Sequence, residues 1–461
     1  MTAYDLVVIG SGPAGEKAAA QAAFWGKRVA VVDRAEAPGG AMVGGAVASK
    51  TMREAALYLT GFTRRDVYEV GLDLSPEVSA QRVRRRTDDL VRMTTASVAE
   101  NLRRHDVDYI CGTATLGPDR TVVVQPPDGA PLLLDAQVVI IATGSRPFHP
   151  PEVPFDDDAV LDSDAAALLD HPLRSLVVVG GGAVGCEFAS IFTALGAEVV
   201  LVDSGQRLLP FMDAEIAELL GATFRDMGMK LVQDAGHANA IRVDDGVRVE
   251  LDDGRTFAAE KVIFATGRVG STDGLGLEAV GVETDSRGRI VVDEHYRTTA
   301  EGIYAAGDVL GPPALASVSM EQARAAACWA FDLPLKRTAD LLPPFGVYSV
   351  PEAAMVGLTE QAAAERGIDC AAGRARFSAN TRAAIAGTTE GMLKLVFRRD
   401  DRTLLGVHII GESATELVHL GQAVIHFGGT IEHFINSTFN VPTLSEAYKY
   451  AAYDGLRAAE R

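Results

Sequence analysis

Gly10, Gly12 and Gly15, in the run GSGPAG, follow a short apolar stretch and open an alanine-rich one. That spacing suits phosphate binding. The first glycine makes a tight turn, the second lets the backbone approach a pyrophosphate, and the third lets helix and strand pack closely. The helix N-terminus then faces the phosphates. Asp33 stands at the end of the next strand, where a carboxylate takes ribose hydroxyls. The constellation returns as GGGAVG, with Gly180, Gly182 and Gly185, and with Asp203 as its acid at the same offset. Two dinucleotides in one chain point to electron transfer, with a flavin that stays and a nicotinamide that visits. Asp203 repels a 2′-phosphate and so favours NAD over NADP. Arg207, four residues on, either softens that preference or is a solvated surface arginine.

These residues need strands and helices to hold them. DLVVIG (5–10) and KRVAVVD (27–33) read as strands flanking the first glycine turn and its helix. RSLVVVG (174–180) and AEVVLVD (197–203) repeat the pattern around the second. QVVIIATGSRP (137–147) is echoed by KVIFATGRVG (261–270), each a strand with a tight exit. GIYAAGD (302–308) reads as a strand ending in Gly-Asp, and the run 313–331 as a helix opening after a proline. From about residue 341 strands with polar breaks mix with helices. The fold class is α/β: two doubly wound dinucleotide-binding domains, the second inserted into the first, followed by a C-terminal α+β domain.

Composition narrows the function classes. The 461 residues suit two to four domains, and 48% hydrophobic with 23% charged reads as globular. A net charge of −19 repels phosphate backbones, which argues against a nucleic-acid partner. The local cluster QRVRRR (81–86) reads as a solvated helix face. Cys111, Cys186, Cys328 and Cys370 lie far apart with no metal or disulfide-scaffold spacing, so no metal site is expected and a reducing compartment fits. Cys186, in the first turn of a nucleotide helix, reads as a small buried filler. His419 and His426, seven apart, lack metal-pair spacing and read as core or interface residues. No signal-peptide pattern precedes the first strand, and no apolar run reaches the ~18 residues of a membrane span. A cytoplasmic place is expected.

The ordered set GSGPAG, ATGSRP, GGGAVGCEFA, ATGR and YAAGD resembles the flavoprotein disulfide reductase family across essentially the whole chain. The resemblance implies a homodimer. It implies an FAD domain over residues 1–150 and 269–340, an NAD(P) domain over 151–268, and a dimerisation domain over 341–461. Gly307 and Asp308 would hold the ribityl or phosphate region of FAD. Leu315, Ala316 and Ser317 would place a helix N-terminus near the flavin pyrimidine, where its dipole favours the negative charge of reduced flavin. Gly40, Ser49, Thr143 and Gly144 fall on the FAD side, and Gly267 on the nicotinamide side. Glu187 matches a family glutamate near the nicotinamide. Lys50 matches the family lysine that pairs with it near flavin N5, where it favours hydride arrival. These two are the candidate catalytic residues.

One family feature is missing. In disulfide reductases the stretch before the lysine carries two cysteines, but here it reads GGAMVGGAVASK (39–50), a loop without a nucleophile. Ala41 or Met42 stands where the first cysteine would be, Ala46 where the second would be, and Ala48 replaces a proline. Thiol–disulfide exchange needs a thiolate, so disulfide reduction is excluded. In NVPTLSEAY (440–448), Val441 stands where the family places a histidine base, while Glu446 remains.

CEFASIF (186–192), ATGRVGSTDGLGLEAVGVETDSRG (265–288) and INSTFNVPTLSEAY (435–448) are most similar to the branch of soluble, FAD-containing pyridine nucleotide transhydrogenases. That branch implies hydride transfer between NADH and NADP(H) through FAD. The alternatives are an NAD(P)H:quinone or dye reductase, whose acceptor would use the emptied loop, and a flavin-bound redox-sensing scaffold. Small-molecule electron donors and acceptors are the expected partners.

Overall fold

A computed structural model describes residues 2–40, 42–62, 67, 75–335 and 342–460. Ala41, one of the two expected stand-ins for the first cysteine, lies outside the described residues, as does the expected boundary at 340/341. The chain forms two compact units.

The first unit takes in the described residues of 1–48, 87–148 and 267–341. Its sheet runs in the order Asp108–Cys111, Val29–Asp33, Thr2–Ile9, Leu132–Ile141, Thr121–Gln125, Thr113–Leu116; Ile303–Ala305 also pairs with Leu132–Ile141. The strands around Thr2–Ile9 are parallel, as Ile303–Ala305 is to Leu132–Ile141, while the last two run antiparallel. Parallel strands covered on both faces read as continuous apolar runs, as VVI and VVII do. The helices Pro13–Phe24 and Ala316–Ala330 pack against each other through small residues, with Ala14, Ala18, Ala323 and Ala327 in one buried cluster. Their alanines permit close approach.

The second unit takes in the described residues of 49–86, 149–266 and 342–461. One sheet is wholly parallel, in the order Lys230–Val232, Glu198–Val202, Ser175–Val179, Lys261–Phe264, Val160–Asp162. A three-stranded antiparallel meander, Ala238–Val243, Gly246–Leu251 and Thr256–Ala259, lies in sequence between its strands Lys230–Val232 and Lys261–Phe264. The C-terminal part is a five-stranded antiparallel sheet, order Phe345–Val347, Ala353–Gly357, Leu404–Ile410, Met392–Arg398, Cys370–Arg376, packed by the helices Ala414–His426 and Glu446–Ala459. Two doubly wound sheets and a C-terminal α+β domain are therefore present.

Two sequence expectations change. The stretch before Lys50 is not an open loop: Met42–Val47 forms a wide π-helical turn that leads into the helix Ala48–Thr60. Ala48 keeps the N–H that a proline would lack, so the turn can run on into the helix. His419 and His426 are exposed on their helix, which removes the core reading and leaves the interface one. The arginine-rich run lies in the long helix Pro76–Arg104, with Arg82, Arg85 and Arg86 exposed. No described helix is long and apolar enough to cross a membrane.

Candidate active site and cofactor cradles

The first glycine turn is built by close backbone approach. Gly10 has φ +103°, and a Cβ there would fall 2.4 Å from the Ala142 carbonyl oxygen. A Cβ on Gly15 would fall 1.9 Å from the Gly10 carbonyl oxygen, so helix and strand meet only because position 15 is glycine. Gly12 differs: a Cβ there meets nothing within 4 Å. It is also the N-cap of Pro13–Phe24, and no side chain caps that helix. Open space before uncapped N–H groups is an arrangement that suits a phosphate. Gly40 packs over it, with its Cβ position 2.9 Å from Gly12 Cα.

Asp33 is already engaged. Its Oδ2 accepts from the Ser11 N–H at 2.7 Å and the Ser11 hydroxyl at 2.6 Å, and its Oδ1 from the Ala35 N–H at 3.1 Å. The acid closes the turn as well as facing a small cavity of about 90 Å³ that Gly10, Val32, Gly112 and Thr143 also line. The Thr143 hydroxyl is buried with no hydrogen-bond partner. A buried orphan of this kind costs about 1–3 kcal/mol unless a ligand satisfies it. Gly144, at φ +70°, accepts from the Ser271 N–H at 3.0 Å.

Gly307 and Asp308 sit across the same unit's small-residue contact. A Cβ on Gly307 would lie 2.9 Å from Ala14 Cβ. Asp308 accepts from the Ser319 hydroxyl at 2.8 Å and the Ser145 hydroxyl at 3.4 Å. Leu315 is the N-cap of Ala316–Ala330, again with no side-chain cap, and Ser317 is exposed in its first turn. An uncapped N-terminus carries partial positive charge. Gly267, expected on the nicotinamide side, belongs to this first unit, and its carbonyl accepts from the Phe148 N–H at 2.9 Å.

The second turn repeats the first. Gly180 has φ +116°, with its Cβ position 2.5 Å from the Ala265 carbonyl oxygen; that of Gly185 lies 1.8 Å from the Gly180 oxygen. Gly182 has open space and starts an uncapped helix, Ala183–Ala194. Asp203 Oδ1 accepts from the Gly181 N–H at 2.9 Å. The loop after Asp203 folds back on the turn, with the Leu209 N–H donating to the Gly181 carbonyl at 2.9 Å. Arg207 lies in that loop. One of its Nη atoms donates to the Pro210 carbonyl at 3.2 Å, while its Nε is buried without a partner.

Lys50 and Glu187 meet in the second unit. Lys50 Nζ donates to Glu187 Oε2 at 2.7 Å, the lysine one-third exposed and the glutamate buried. Glu187 Oε1 accepts from the Tyr348 N–H at 2.9 Å. Ser49 is buried beside the lysine, 3.4 Å from Nζ. Sequence reasoning misses Tyr348 and its neighbours, because a backbone donor leaves no residue signature. Arg53 and Ser190 carry a usable signal: each lies three residues beyond the pair on its own helix, and so on the same face.

Cys111, Cys186, Cys328 and Cys370 all lie outside the stretch before Lys50. None of the four cysteines forms a disulfide. Burial, with Asp203 and Glu187 nearby, pushes the Cys186 thiol far above its ordinary value, as suits an inert filler. Among the described residues no cluster could hold a metal ion. Val441 is exposed, and Glu446 accepts from the Thr443 N–H at 3.5 Å.

Comparisons with known proteins show the family. The family described as Pyridine nucleotide-disulphide oxidoreductase matches residues 4–323, and its dimerisation domain matches 343–452. The chain belongs to this family. It is an oxidoreductase whose cofactors are FAD and a pyridine nucleotide. Relatives named soluble pyridine nucleotide transhydrogenase include one from Mycobacterium bovis, 42% identical over 98% of this chain and 97% of its own. Another, from Pseudomonas putida, is 39% identical over 98% of each chain. Among solved structures, LpdA from Mycobacterium tuberculosis is 29% identical with a TM-score of 0.89, covering 98% of this chain and 99% of its own. A Cu(II) complex of the HOCl-induced flavoprotein disulfide reductase RclA from Escherichia coli is 26% identical with a TM-score of 0.88 and the same coverage. The family's name includes a disulphide, yet residues 39–50 of this member contain no cysteine.

Proposed function

We propose that the chain is a soluble, FAD-dependent pyridine nucleotide transhydrogenase that moves hydride between NADH and NADP(H). The observation that carries this reading is the intact Lys50–Glu187 pair in a chain with two open glycine cradles and no dithiol. Such a chain keeps the means to bind and orient two dinucleotides while lacking the means to pass electrons to a disulfide. The transhydrogenase relatives support it. The proposed domain limits are 1–150 and 269–340 for FAD, 151–268 for NAD(P) and 341–461 for dimerisation. A cytoplasmic homodimer is part of the proposal.

FAD supplies hydride acceptance and release when bound. The chain's own residues bind and orient. Gly10, Gly12, Gly15 and Gly40 would admit its pyrophosphate. Asp33 and Thr143 would meet the adenosine end. Gly144, Gly307, Asp308 and the N-terminus at Leu315, Ala316 and Ser317 would serve the rest. Gly180, Gly182, Gly185, Asp203 and Gly267 would serve NAD(P). Glu187 would hold the Lys50 ammonium, and Ser49 would support it.

A quinone reductase is the second reading, favoured by the small residues of the Met42–Val47 turn. The test is an anaerobic double-mixing experiment on FAD-loaded protein. The flavin is reduced with one equivalent of NADH, then mixed with a thionicotinamide NADP+ analogue or a soluble quinone. Fast reoxidation by the analogue supports transhydrogenation. Reoxidation by the quinone alone overturns it.

A further inference from the structure

Lys50 and Glu187 stand on helices remote in sequence, and one short segment, residues 348–352, touches both. On the helix Ala48–Thr60, Arg53 lies three residues beyond Lys50 and is only 4% exposed. Its Nε donates to the Ser349 carbonyl at 2.9 Å, and an Nη lies 3.4 Å from Glu352 Oε1. The same guanidinium also pairs with Glu54. On the helix Ala183–Ala194, Ser190 lies three residues beyond Glu187. Its Oγ accepts from the Val350 N–H at 3.1 Å, while Glu187 Oε1 accepts from the Tyr348 N–H. Each helix is therefore fixed to the segment one turn away from its reactive side chain.

The segment also reaches the pair directly. The Tyr348 ring centroid lies 5.1 Å from Lys50 Nζ, within cation–π range. Glu352 Oε2 accepts from the Thr415 N–H at 3.1 Å and hydroxyl at 2.8 Å, which anchors the segment to the helix Ala414–His426. A lysine ammonium rides on a flexible four-carbon stem, and a one-third-exposed ion pair alone orders it weakly. An aromatic face on one side and a carboxylate on another restrict it. The Tyr348 N–H occupies Oε1, so Oε2 is left for Lys50.

We propose that Tyr348 and Arg53 are positioning residues that hold the Lys50 ammonium and Glu187 carboxylate in the register hydride transfer requires. This rests on the reading of Lys50–Glu187 as a hydride-transfer pair. Tyr348 acts through Lys50 and Glu187, which it contacts, and Arg53 through the segment. Supports of this kind set how precisely a catalytic group is held.

The test uses the full-length, FAD-loaded protein and anaerobic stopped-flow reduction by NADH. The limiting reduction rate and the NADH dissociation constant are read separately for Lys50→Met, Tyr348→Leu, Tyr348→Phe and Arg53→Lys. Tyr348→Leu is expected to slow limiting reduction about three- to tenfold, the scale of one lost cation–π contact, with NADH affinity unchanged. Tyr348→Phe keeps the ring face and is expected to restore the rate. Arg53→Lys, which cannot span Ser349 and Glu352 together, is expected to resemble Tyr348→Leu. If Lys50→Met is slow but Tyr348→Leu and Arg53→Lys reduce like wild type, the positioning proposal fails and the pair's role stands. If Lys50→Met itself reduces like wild type, both fall. Equal slowing by Leu and Phe would also overturn the role of the ring. Should Arg53→Lys not fold, the two Tyr348 variants decide.

Discussion

Lys394 Nζ lies 2.8 and 2.9 Å from the two carboxylate oxygens of Asp213, with the lysine side chain 1% exposed and the aspartate not at all. Asp213 also caps the helix Ala214–Asp226 through the Glu215 N–H, and Lys394 belongs to the strand Met392–Arg398. Glu215 and Glu360 also approach Lys394, and Arg374 bridges both glutamates. The helix Ala214–Asp226 and the C-terminal sheet are thus joined by two cations and three carboxylates. Lys394→Met leaves three carboxylates facing one arginine and is expected to cost about 3–5 kcal/mol. Asp213→Asn keeps the cap and leaves two charges of each sign, so it should cost less than half of that. Denaturant titration of both variants checks the order; an equal cost would contradict the charge count.

His408 gives this cluster a pH dependence. It faces Lys394 across the strand pair, and its Nε2–H donates to the Leu358 carbonyl at 2.9 Å. Burial holds its pKa below the ordinary 6.5, with Lys394 pushing the same way and Asp213 and Glu360 opposing. The folded state therefore keeps His408 neutral where the unfolded chain is protonated. Its contribution is complete above about pH 6.5 and is lost as pH falls from there toward the folded value. The slope is at most about 1.4 kcal/mol per pH unit for one proton. Asp213 is held below its ordinary 3.8, so its own loss comes at lower pH. His408→Gln should flatten stability between pH 5 and 6.5. An unchanged slope would assign it elsewhere.

The sequence shows its chemistry best where it is local. Gly10, Gly12, Gly15 and Asp33 fall within one strand–turn–helix–strand unit, so their spacing alone marks the turn; a Cβ would clash at Gly10 and Gly15, while Gly12 has open space. The same holds for Gly180, Gly182, Gly185 and Asp203. Lys50 and Glu187 are 137 positions apart, and only the family resemblance pairs them. The run YSVPE reads as a strand with polar breaks, yet its backbone N–H groups hold Glu187 and Ser190. Backbone donors belong to every residue but proline, so composition cannot single them out. The wide turn at Met42–Val47 is hidden for a related reason: glycine-rich sequence fits loop and helix alike.

Gly12 and Gly15 should respond differently to one methyl group. Gly15→Ala puts a Cβ 1.9 Å from a backbone oxygen, so strand and helix must separate. It is expected to lower stability by several kcal/mol, with little protein recovered. Gly12→Ala places its Cβ in open space. The apoprotein should fold with a melting temperature near wild type while FAD occupancy falls, because the methyl enters the space proposed for the pyrophosphate. Absorbance of bound flavin against protein, with thermal denaturation of the apoprotein, separates the two. Full flavin occupancy in Gly12→Ala would remove the cradle from this turn.

Arg207 addresses how a site with Asp203 could serve NADP(H). The loop 205–209 lies on the glycine turn, and Asp203 Oδ1 already accepts from the Gly181 N–H. The Arg207 Nε, buried and unpartnered, is a donor lacking an acceptor in this loop. A 2′-phosphate would supply one and would offset the repulsion from Asp203. Charge-assisted hydrogen bonds contribute about 1.5–3 kcal/mol. Arg207→Ala is therefore expected to lower kcat/KM for NADPH roughly ten- to hundredfold, mostly through KM, and to leave NADH within about twofold. Steady-state kinetics with each nucleotide and one common dye acceptor measure this. Equal losses for both nucleotides would mean that Arg207 merely holds the loop. No loss for either would leave recognition of the 2′-phosphate to other residues, and the conflict with Asp203 would then count against transhydrogenation.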